Sequence, residues 1–445
     1  MILRPFQSSL LDQVHAAWTQ HRAVCLQSPT GSGKTVVFTH LAEFSAQRVL
    51  IIAHRSEILD QISQHLSVDH GHIRAGMPTS DARIQIASIQ TLARRTIDPP
   101  DLIILDECHH AMAPSFRSVL ARFPEARILG VTATPERLDG KGLGEVFQHL
   151  ILGPTTADLI AQNLLKRPVY YAPARGVDVS AVKKAMGDFA APDLVRVMDT
   201  SIITGDAVDH YRRLGNGSPA LGFAVNLDHA RHTAEAFTAA GFPAEVIEGS
   251  MDAPARRLMK ARLESGETRI IMSCELVSEG FDMPSVGCVI LCRPTMSIGL
   301  HLQQIGRALR GSGTAVVLDH AGNCLRHGLA EEPREWSLEG RAKQKRDPEA
   351  ELETRQCEKC YAIYLGTVCP QCGNVRVSKK RELEIAAEEL QRLEAVKRER
   401  TPLTPGKCRT LADFQAYAKM HGHRPGWAWY RHQDFLRKKF STVKI

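Results

Sequence analysis

Residues 23–44 carry the feature that constrains this chain most. A short apolar run, Ala23–Gln27, leads into Ser28-Pro29-Thr30-Gly31-Ser32-Gly33-Lys34-Thr35, and a helix-forming stretch follows. A strand, a glycine-bearing loop ending in Lys-Thr and a helix are the parts of a P-loop, a motif of parallel α/β sheets. The glycines let backbone N–H groups turn inward around a phosphate. Lys34 supplies a point charge to the β- and γ-phosphates, and the Thr35 hydroxyl can hold Mg²⁺. Thr30, Gly31, Ser32, Gly33, Lys34 and Thr35 are therefore the expected nucleotide-binding residues. Ser28 stands where the pattern G-x-x-x-x-G-K-[ST] has glycine. The bland alternative is a glycine-rich strand-to-helix turn.

Downstream, Leu102-Ile103-Ile104-Leu105-Asp106-Glu107 is an apolar run ending in two carboxylates. Asp106 at a strand tip is placed to hold Mg²⁺ through water, and Glu107 can orient or deprotonate an attacking water. Alone, such a pair reads as a helix N-cap. The loop upstream reverses that preference, and ATP with Mg²⁺ becomes the expected ligand pair.

Composition narrows the class. The chain has 445 residues, 43% hydrophobic and 24% charged, which is ordinary globular usage. No apolar run is long enough to span a membrane, and the N-terminus lacks a secretory pattern, so a cytoplasmic protein is expected. The net charge of +7 is unevenly placed: residues 341–445 hold 23 Lys+Arg against 13 Asp+Glu, leaving 33 against 36 for residues 1–340. A basic appendix on a near-neutral body suits a polyanion, although a solvated charged tail has the same composition.

Short β-branched runs alternate with helical patterns through residues 1–150, at Ala23–Gln27, Arg48–Ala53, Ile84–Ser88, Leu102–Leu105 and Arg127–Thr132. The pattern pauses over 151–215, where Pro154, Pro168, Pro173 and Pro192 punctuate the chain. It resumes at Ala220–Ala224, the helix Asp228–Ala240, Ala244–Ile247, Arg269–Ser273, Val286–Leu291 and Thr314–Leu318. Two α/β lobes are expected, over residues 1–155 and 156–330, followed by a charged linker over 331–356. Ser378–Arg400 has apolar positions at helical spacing, which predicts a docked amphipathic helix or a short coiled coil within a basic extension, residues 374–445.

Further motifs follow in order. Asp106-Glu107-Cys108-His109-His110 resembles the DEAD/DEAH-type box of the superfamily-two helicases, in its DECH form. Leu3-Arg4-Pro5-Phe6-Gln7 resembles their glutamine motif, in which Gln7 would read the adenine edge. Ala53-His54-Arg55-Ser56-Glu57-Ile58 and Ser88-Ile89-Gln90-Thr91-Leu92 are similar to the boxes touching the nucleic-acid backbone, and Val131-Thr132-Ala133-Thr134-Pro135 to the Thr-Ala-Thr box. Ser278-Glu279-Gly280-Phe281-Asp282-Met283-Pro284 resembles the box bridging nucleotide and nucleic acid, which implies roles for Gly280 and Asp282. Gln303-Gln304-Ile305-Gly306-Arg307-Ala308-Leu309-Arg310 matches Q-x-x-G-R-x-x-R, so Gln303, Arg307 and Arg310 join Lys34, Asp106 and Glu107 as expected catalytic residues. Leu318-Asp319-His320-Ala321-Gly322-Asn323 and the cysteine pairs below resemble bacterial RadD-type and prophage-encoded DNA helicases.

The resemblance implies two tandem RecA-like lobes that hydrolyse ATP at their interface and move on nucleic acid, DNA in preference to RNA, in repair, recombination or replication. The alternatives are an RNA helicase, or a nucleic-acid-stimulated ATPase that remodels protein–DNA complexes without unwinding. Spacing alone places Arg307 and Arg310 at i and i+3 of a helix, facing one cleft. Their planar forks suit charge developing on a transferred phosphoryl group.

Cys357-x₂-Cys360 and Cys369-x₂-Cys372 are two thiolate knuckles fit for one tetrahedral Zn²⁺, a small ribbon over residues 357–373. The iron–sulfur clusters of related helicases lie between P-loop and acidic box, where this chain has no cysteine. Near the end, Trp427, Trp429 and Tyr430 lie among Arg424, Arg431, Arg437, Lys438 and Lys439. They can stack bases, or form the core of a small terminal domain. The extension can also dock a protein partner.

Overall fold

The computed structural model describes residues 3–340 apart from 79, 138–139, 174–176, 186, 216 and 275–285. Beyond them it describes 355–356, 363–364, 390–393, 414–415, 417–418, 428 and 431–433. Residues 1–394 form one unit and 395–445 a second. Cys357, Cys360, Cys369 and Cys372, Gly280 and Asp282, and Trp427, Trp429 and Tyr430 lie outside the described residues.

The first lobe is a seven-stranded, all-parallel sheet. Its strands are β1 (Ala23–Gln27), β2 (Val49–Ala53), β3 (Gly71–Ile73), β4 (Ile84–Ser88), β5 (Leu102–Asp106), β6 (Arg127–Thr132) and β7 (His149–Leu152), in the order β3-β4-β2-β5-β6-β1-β7. Its helices are α1 (Pro5–Ala17), α2 (Lys34–Phe44), α3 (Ser56–His65), α4 (Ile89–Leu92) and α5 (Pro114–Ala121). β1, β2 and β5 are buried along their whole length, as expected of strands covered on both faces. Val24, Leu26, Ile51 and Ile104 pack on one side with α1–α3, and Cys25, Leu50, Ile52 and Ile103 on the other with α5. This register aims the ends of β5, β6 and β1, three neighbours, at one edge, where ligands of parallel sheets bind.

The second lobe begins with α6 (Thr156–Ala161), β8 (Arg167–Pro173), the hairpin strands β9 (Lys184–Ala185) and β10 (Asp188–Phe189), α7 (Ala191–Met198) and α8 (Ser201–Leu214). It continues with β11 (Ala220–Phe223), α9 (Leu227–Ala239), β12 (Ala244–Ile247), α10 (Ala253–Ser265), β13 (Ile270–Ser273), β14 (Cys288–Leu291), α11 (Ile298–Gly306), β15 (Thr314–Asp319) and α12 (Asn323–His327). The sheet order is β12-β13-β11-β14-β15-β8, all parallel, with Leu390–Leu393 added antiparallel on β8.

Two expectations are corrected. The stretch 151–215 is not a pause, for it contains β7, α6, β8, the β9–β10 hairpin, α7 and α8. Its prolines sit at element starts and strand edges, where no ladder hydrogen bond is needed. β3 is an edge strand of only three residues, and β7 an edge strand whose apolar residues stay largely uncovered. The helix expected over Ser378–Arg400 is interrupted, because Leu390–Leu393 is extended. The free N–H and C=O groups of the edge strand β8 capture it.

After α12 the chain does not leave the second lobe directly. Leu329 and Ala330 are buried in its core, and the half-buried Leu338 packs against the core of the first lobe. Gly144 N donates to Leu338 O at 2.8 Å, and Gly340 bridges Lys141. Between these anchors, the Arg334 guanidinium donates to the carbonyls of His327, Leu329, Ala330 and Glu332. Residues 329–340 are thus a strap joining both lobes. In the second unit Phe414 and Ala428 are buried against Tyr417 and Ala418. Among the described residues no helix is long and apolar enough to cross a membrane.

Candidate nucleotide site between the lobes

The loop after β1 wraps Lys34. Gly31 and Gly33 both have φ +85°, a conformation costly for other residues. Lys34 Nζ donates to the carbonyls of Ser28 and Pro29 at 3.1 and 3.2 Å. The departure at Ser28 has a structural use: its hydroxyl donates to Ser32 Oγ at 2.7 Å, bracing the loop from within. Gln7 is 3% exposed and accepts from Arg4 N at 2.9 Å while donating to Ser32 O at 3.2 Å. A Cβ on Gly33 would lie 2.6 Å from Gln7 Nε2, so the glutamine rests on the loop itself.

Asp106 ends β5 and is buried. Its Oδ1 accepts from Glu107 N at 3.0 Å. Burial, then the neighbouring Glu107 charge, push its carboxyl up to about 7, against the opposing pull of Lys34. Burial lowers the Lys34 ammonium from its ordinary value, opposed by Glu107 and Asp106 and reinforced by Arg310 and Arg307. Lysine, both carboxylates and both arginines thus share one field. This donor set fits a polyphosphate with a divalent cation, since an added positive charge would relieve the carboxylates. Glu107 has φ 49°, ψ 53°, one of two non-glycine residues with positive φ among those described. Strain of this kind collects at functional sites.

Sequence reasoning gave His109 no role, yet it connects two boxes. Its Nδ1 faces Thr132 Oγ1 at 3.2 Å and Glu107 Oε2 at 3.4 Å. The Thr132 hydroxyl donates to Thr134 O and accepts from Thr134 N, so the proton toward Thr132 must come from His109. The signal was available, as a histidine three residues past an acidic strand tip, but its partner is 23 residues away.

From the second lobe, α11 starts at the cap Ser297, which accepts from Leu300 N at 3.2 Å. It ends at Gly306, so Arg307 is its C-cap and Arg310 lies beyond, bridging Leu165. The expectation that both arginines ride one helix is therefore corrected. The turn leading to Gly311 and Gly313, at φ +88° and +100°, carries Arg310 away from the helix axis. Arg310 still reaches the loop, and the charge of Arg307 acts on Lys34 within it. A Cβ on Gly31 would meet Leu165 Cδ2 at 2.9 Å and Arg310 Cγ at 3.7 Å, and one on Gly306 would meet Thr30 Cβ at 2.6 Å. Gly299 lies against Thr134 in the same way. Arg307, Gln303 and Gln304 are buried there. A cavity of about 100 Å³ opens beside this contact, lined by Pro29, Thr30, Leu302, Gly306, Arg334 and Trp336 among others.

Residues 1–137 match the family model described as type III restriction enzyme, res subunit, and residues 206–312 match the helicase conserved C-terminal domain. A 51.5 kDa protein of a Lactococcus phage is 30% identical over 85% of this chain and 83% of its own length. This chain belongs to the superfamily-two helicases. The helicase also resembles a candidate ATP-dependent helicase of Saccharomyces cerevisiae, IRC3, at 29% identity over 69% of this chain. It spans about half (49%) of that protein. The DNA 3'-5' translocase XPB2 of Sulfurisphaera tokodaii is 23% identical, with 71% of this chain and 80% of that one covered. Among solved structures, a fragment assigned as the HsdR subunit of a type I restriction enzyme from Vibrio vulnificus has a TM-score of 0.58 at 20% identity. The match covers 74% of this helicase and 68% of that chain, and shows the shared fold. The helicase is an ATP-hydrolysing enzyme whose relatives act as helicases or translocases.

Proposed function

We propose that this helicase moves on DNA, closing its lobes around ATP and reopening after hydrolysis. The observation that carries the reading is the direct packing of the P-loop against the arginine box, Thr30 on Gly306 and Gly31 over Arg310. In this reading Lys34 neutralises the β- and γ-phosphates within the loop Thr30–Thr35, and Gln7 secures that loop and the adenine side. Asp106 and the Thr35 hydroxyl hold Mg²⁺, which supplies charge neutralisation for the transferred phosphoryl group. Glu107 orients the attacking water. Gln303, Arg307 and Arg310 complete the site from the second lobe, and the motif resemblance adds Gly280 and Asp282 to the nucleotide-binding residues. ATP favours the closed state and product release the open one, so nucleic acid bound across both lobes is gripped at changing spacing.

The choice of DNA is supported by the named activity of the XPB2 relative and by the RadD-type motif order, which also favours a role in DNA repair, recombination or replication. The cysteine knuckles read as a Zn²⁺ ribbon. The antiparallel pairing of Arg355–Gln356 with Ile363–Tyr364, which brackets Cys357 and Cys360 in the sequence, supports a knuckle there. The ribbon and the basic extension would then select the substrate or dock a protein partner.

The test is ATP turnover measured with single-stranded, duplex and branched DNA and with RNA, at two salt concentrations. The expected result is stimulation by DNA that disappears in Lys34→Ala and Glu107→Gln. Turnover that responds to RNA alone, or to neither polymer, overturns the reading. Strand displacement on forked and blunt duplexes then separates unwinding from remodelling.

A further inference from the structure

β2 and β5 are adjacent parallel strands, so the residues following them emerge side by side at the edge that carries the nucleotide site. Past β2 comes His54, within the box that resembles the nucleic-acid-contacting boxes. Past β5 comes the acidic box and the 3₁₀ turn Cys108–His110. The His110 ring lies 4.5 Å from the ring of His54 and 4.2 Å from that of His109, centroid to centroid, at tilts of 52° and 43°. His109 in turn faces Glu107 and Thr132.

The far end of this row is equally well tied. Arg55 Nε donates to His54 Nε2 at 3.1 Å, so the position of the His54 ring follows the Arg55 guanidinium. Gln90 Nε2 donates to His54 O at 3.1 Å, and Ser88 Oγ donates to Gln90 Oε1 at 2.6 Å. His54 is therefore the node where the two backbone-contacting boxes of the first lobe meet. An unbroken path runs from Arg55 and Gln90 through His54, His110 and His109 to Glu107, formed by three rings in contact.

We infer that His110 is the positioning residue through which nucleic acid bound at the first lobe sets the Glu107 carboxylate for stimulated hydrolysis. His110 acts through His109 and His54, not on substrate. A phosphate taken by Arg55 shifts the guanidinium and the His54 ring tied to it. Rings packed at 4–5 Å transmit that shift, because close-packed neighbours cannot yield independently. The inference rests on the nucleic-acid-stimulated ATPase proposed above and deepens it.

The experiment compares the full-length protein with His110→Ala and His110→Phe. It measures basal turnover, turnover at saturating DNA, the DNA concentration for half-stimulation, and thermal melting. The expected result for His110→Ala is basal turnover and half-stimulating DNA concentration within about threefold of the parent, and stimulation reduced at least tenfold. His110→Phe keeps a ring without the imidazole nitrogens and should retain most of the stimulation. Full stimulation in a folded His110→Ala protein overturns the inference. So does an equal loss of basal and stimulated turnover, which marks a general structural role, or a His110→Phe protein as impaired as His110→Ala. A parent enzyme that hydrolyses ATP indifferently to nucleic acid overturns the functional reading itself, and is recognised before any variant is measured.

Discussion

Gly306 offers a way to separate lobe closure from lobe folding. It is the last residue of α11 and packs on the P-loop, where an added Cβ would lie 2.6 Å from Thr30 Cβ. Carbon atoms in contact sit about 3.5–4.0 Å apart, so Gly306→Ala is short by about 1 Å. Thr30 Cβ is fixed to the backbone and cannot swing aside, so the lobes must part by roughly that distance. Displacement of reacting groups by about 1 Å typically costs on the order of 100-fold in rate. The second lobe should not be weakened, since alanine in a helix is favoured over glycine by up to about 1 kcal/mol. The expected phenotype is therefore an unchanged or slightly raised melting temperature, ADP affinity within a few-fold, and DNA-stimulated kcat down about 100-fold. The assay pairs steady-state ATP turnover with fluorescent ADP binding and thermal melting. A kcat within threefold of the parent would refute the reasoning, because the contact would then not belong to the hydrolytic state.

Other expectations concern different parts of the molecule. Arg256 in α10 forms an ion pair with Glu57 in α3 across the lobes, and its side chain is only 12% exposed. Glu57→Arg should lower stimulated turnover several-fold, and adding Arg256→Glu should recover it, with a coupling of about 0.5–3 kcal/mol; additive losses would rule out a functional pair. His301 and His320 are buried, and that burial holds both down at about 3. A histidine depressed in the folded state gives stability that is present above its unfolded pKa, near 6.5, and lost as pH falls toward 3. Between pH 7 and 5 the two together should cost about 4 kcal/mol, at roughly 1.4 kcal/mol per pH unit each below about 6.5, offset by about 2 kcal/mol from the raised Asp106 carboxyl, which takes up its proton in the folded state over the same range; a melting temperature that rises from pH 7 to 5 contradicts it. The full-length protein should contain one zinc per chain, released by a mercurial together with four thiols and absent in Cys369→Ser. Metal-free protein with freely titrating thiols would sink the ribbon. Truncation after residue 340 removes the net +10 and should flatten the salt dependence of DNA binding while sparing ADP binding. An unchanged slope would return the extension to a solvated tail.

Much of the fold was legible because buried parallel strands write themselves as apolar runs. β1, β2, β4, β5 and β6 appear in the sequence almost to the residue, and with them Lys34, at the head of the helix after the β1 loop, and Asp106, at the tip of β5. What escaped had a physical reason in each case. β3 and β7 are edge strands whose residues are only partly apolar. The Cys25–Cys108 contact at 3.7 Å, passing over Gly130, joins two cysteines that look scattered along the chain. Helical spacing predicted one face for Arg307 and Arg310, whereas the chain leaves the helix between them and a bridge to Leu165 sets the second. Spacing sees periodicity, not where a helix is cut. The row from Glu107 to His54 joins two separate segments and has no period at all.

The strap over residues 329–340 makes the two lobes a closed circuit. They are joined once where the chain passes from β7 to α6, and again from Ala330 to Leu338. Two bodies held by one tether can swivel freely, but two tethers define a line, and the remaining easy motion is rotation about it, as a door turns on a pair of hinges. The second has seven residues between its anchors, eight Cα steps that span at most about 28 Å when fully drawn out. That leash sets the widest gap the lobes can reach while Leu338 stays seated. A stroke longer than this would have to lift the half-buried Leu338 off the first lobe's core, at a cost below the roughly 1.5–3 kcal/mol of a fully buried leucine, on each cycle.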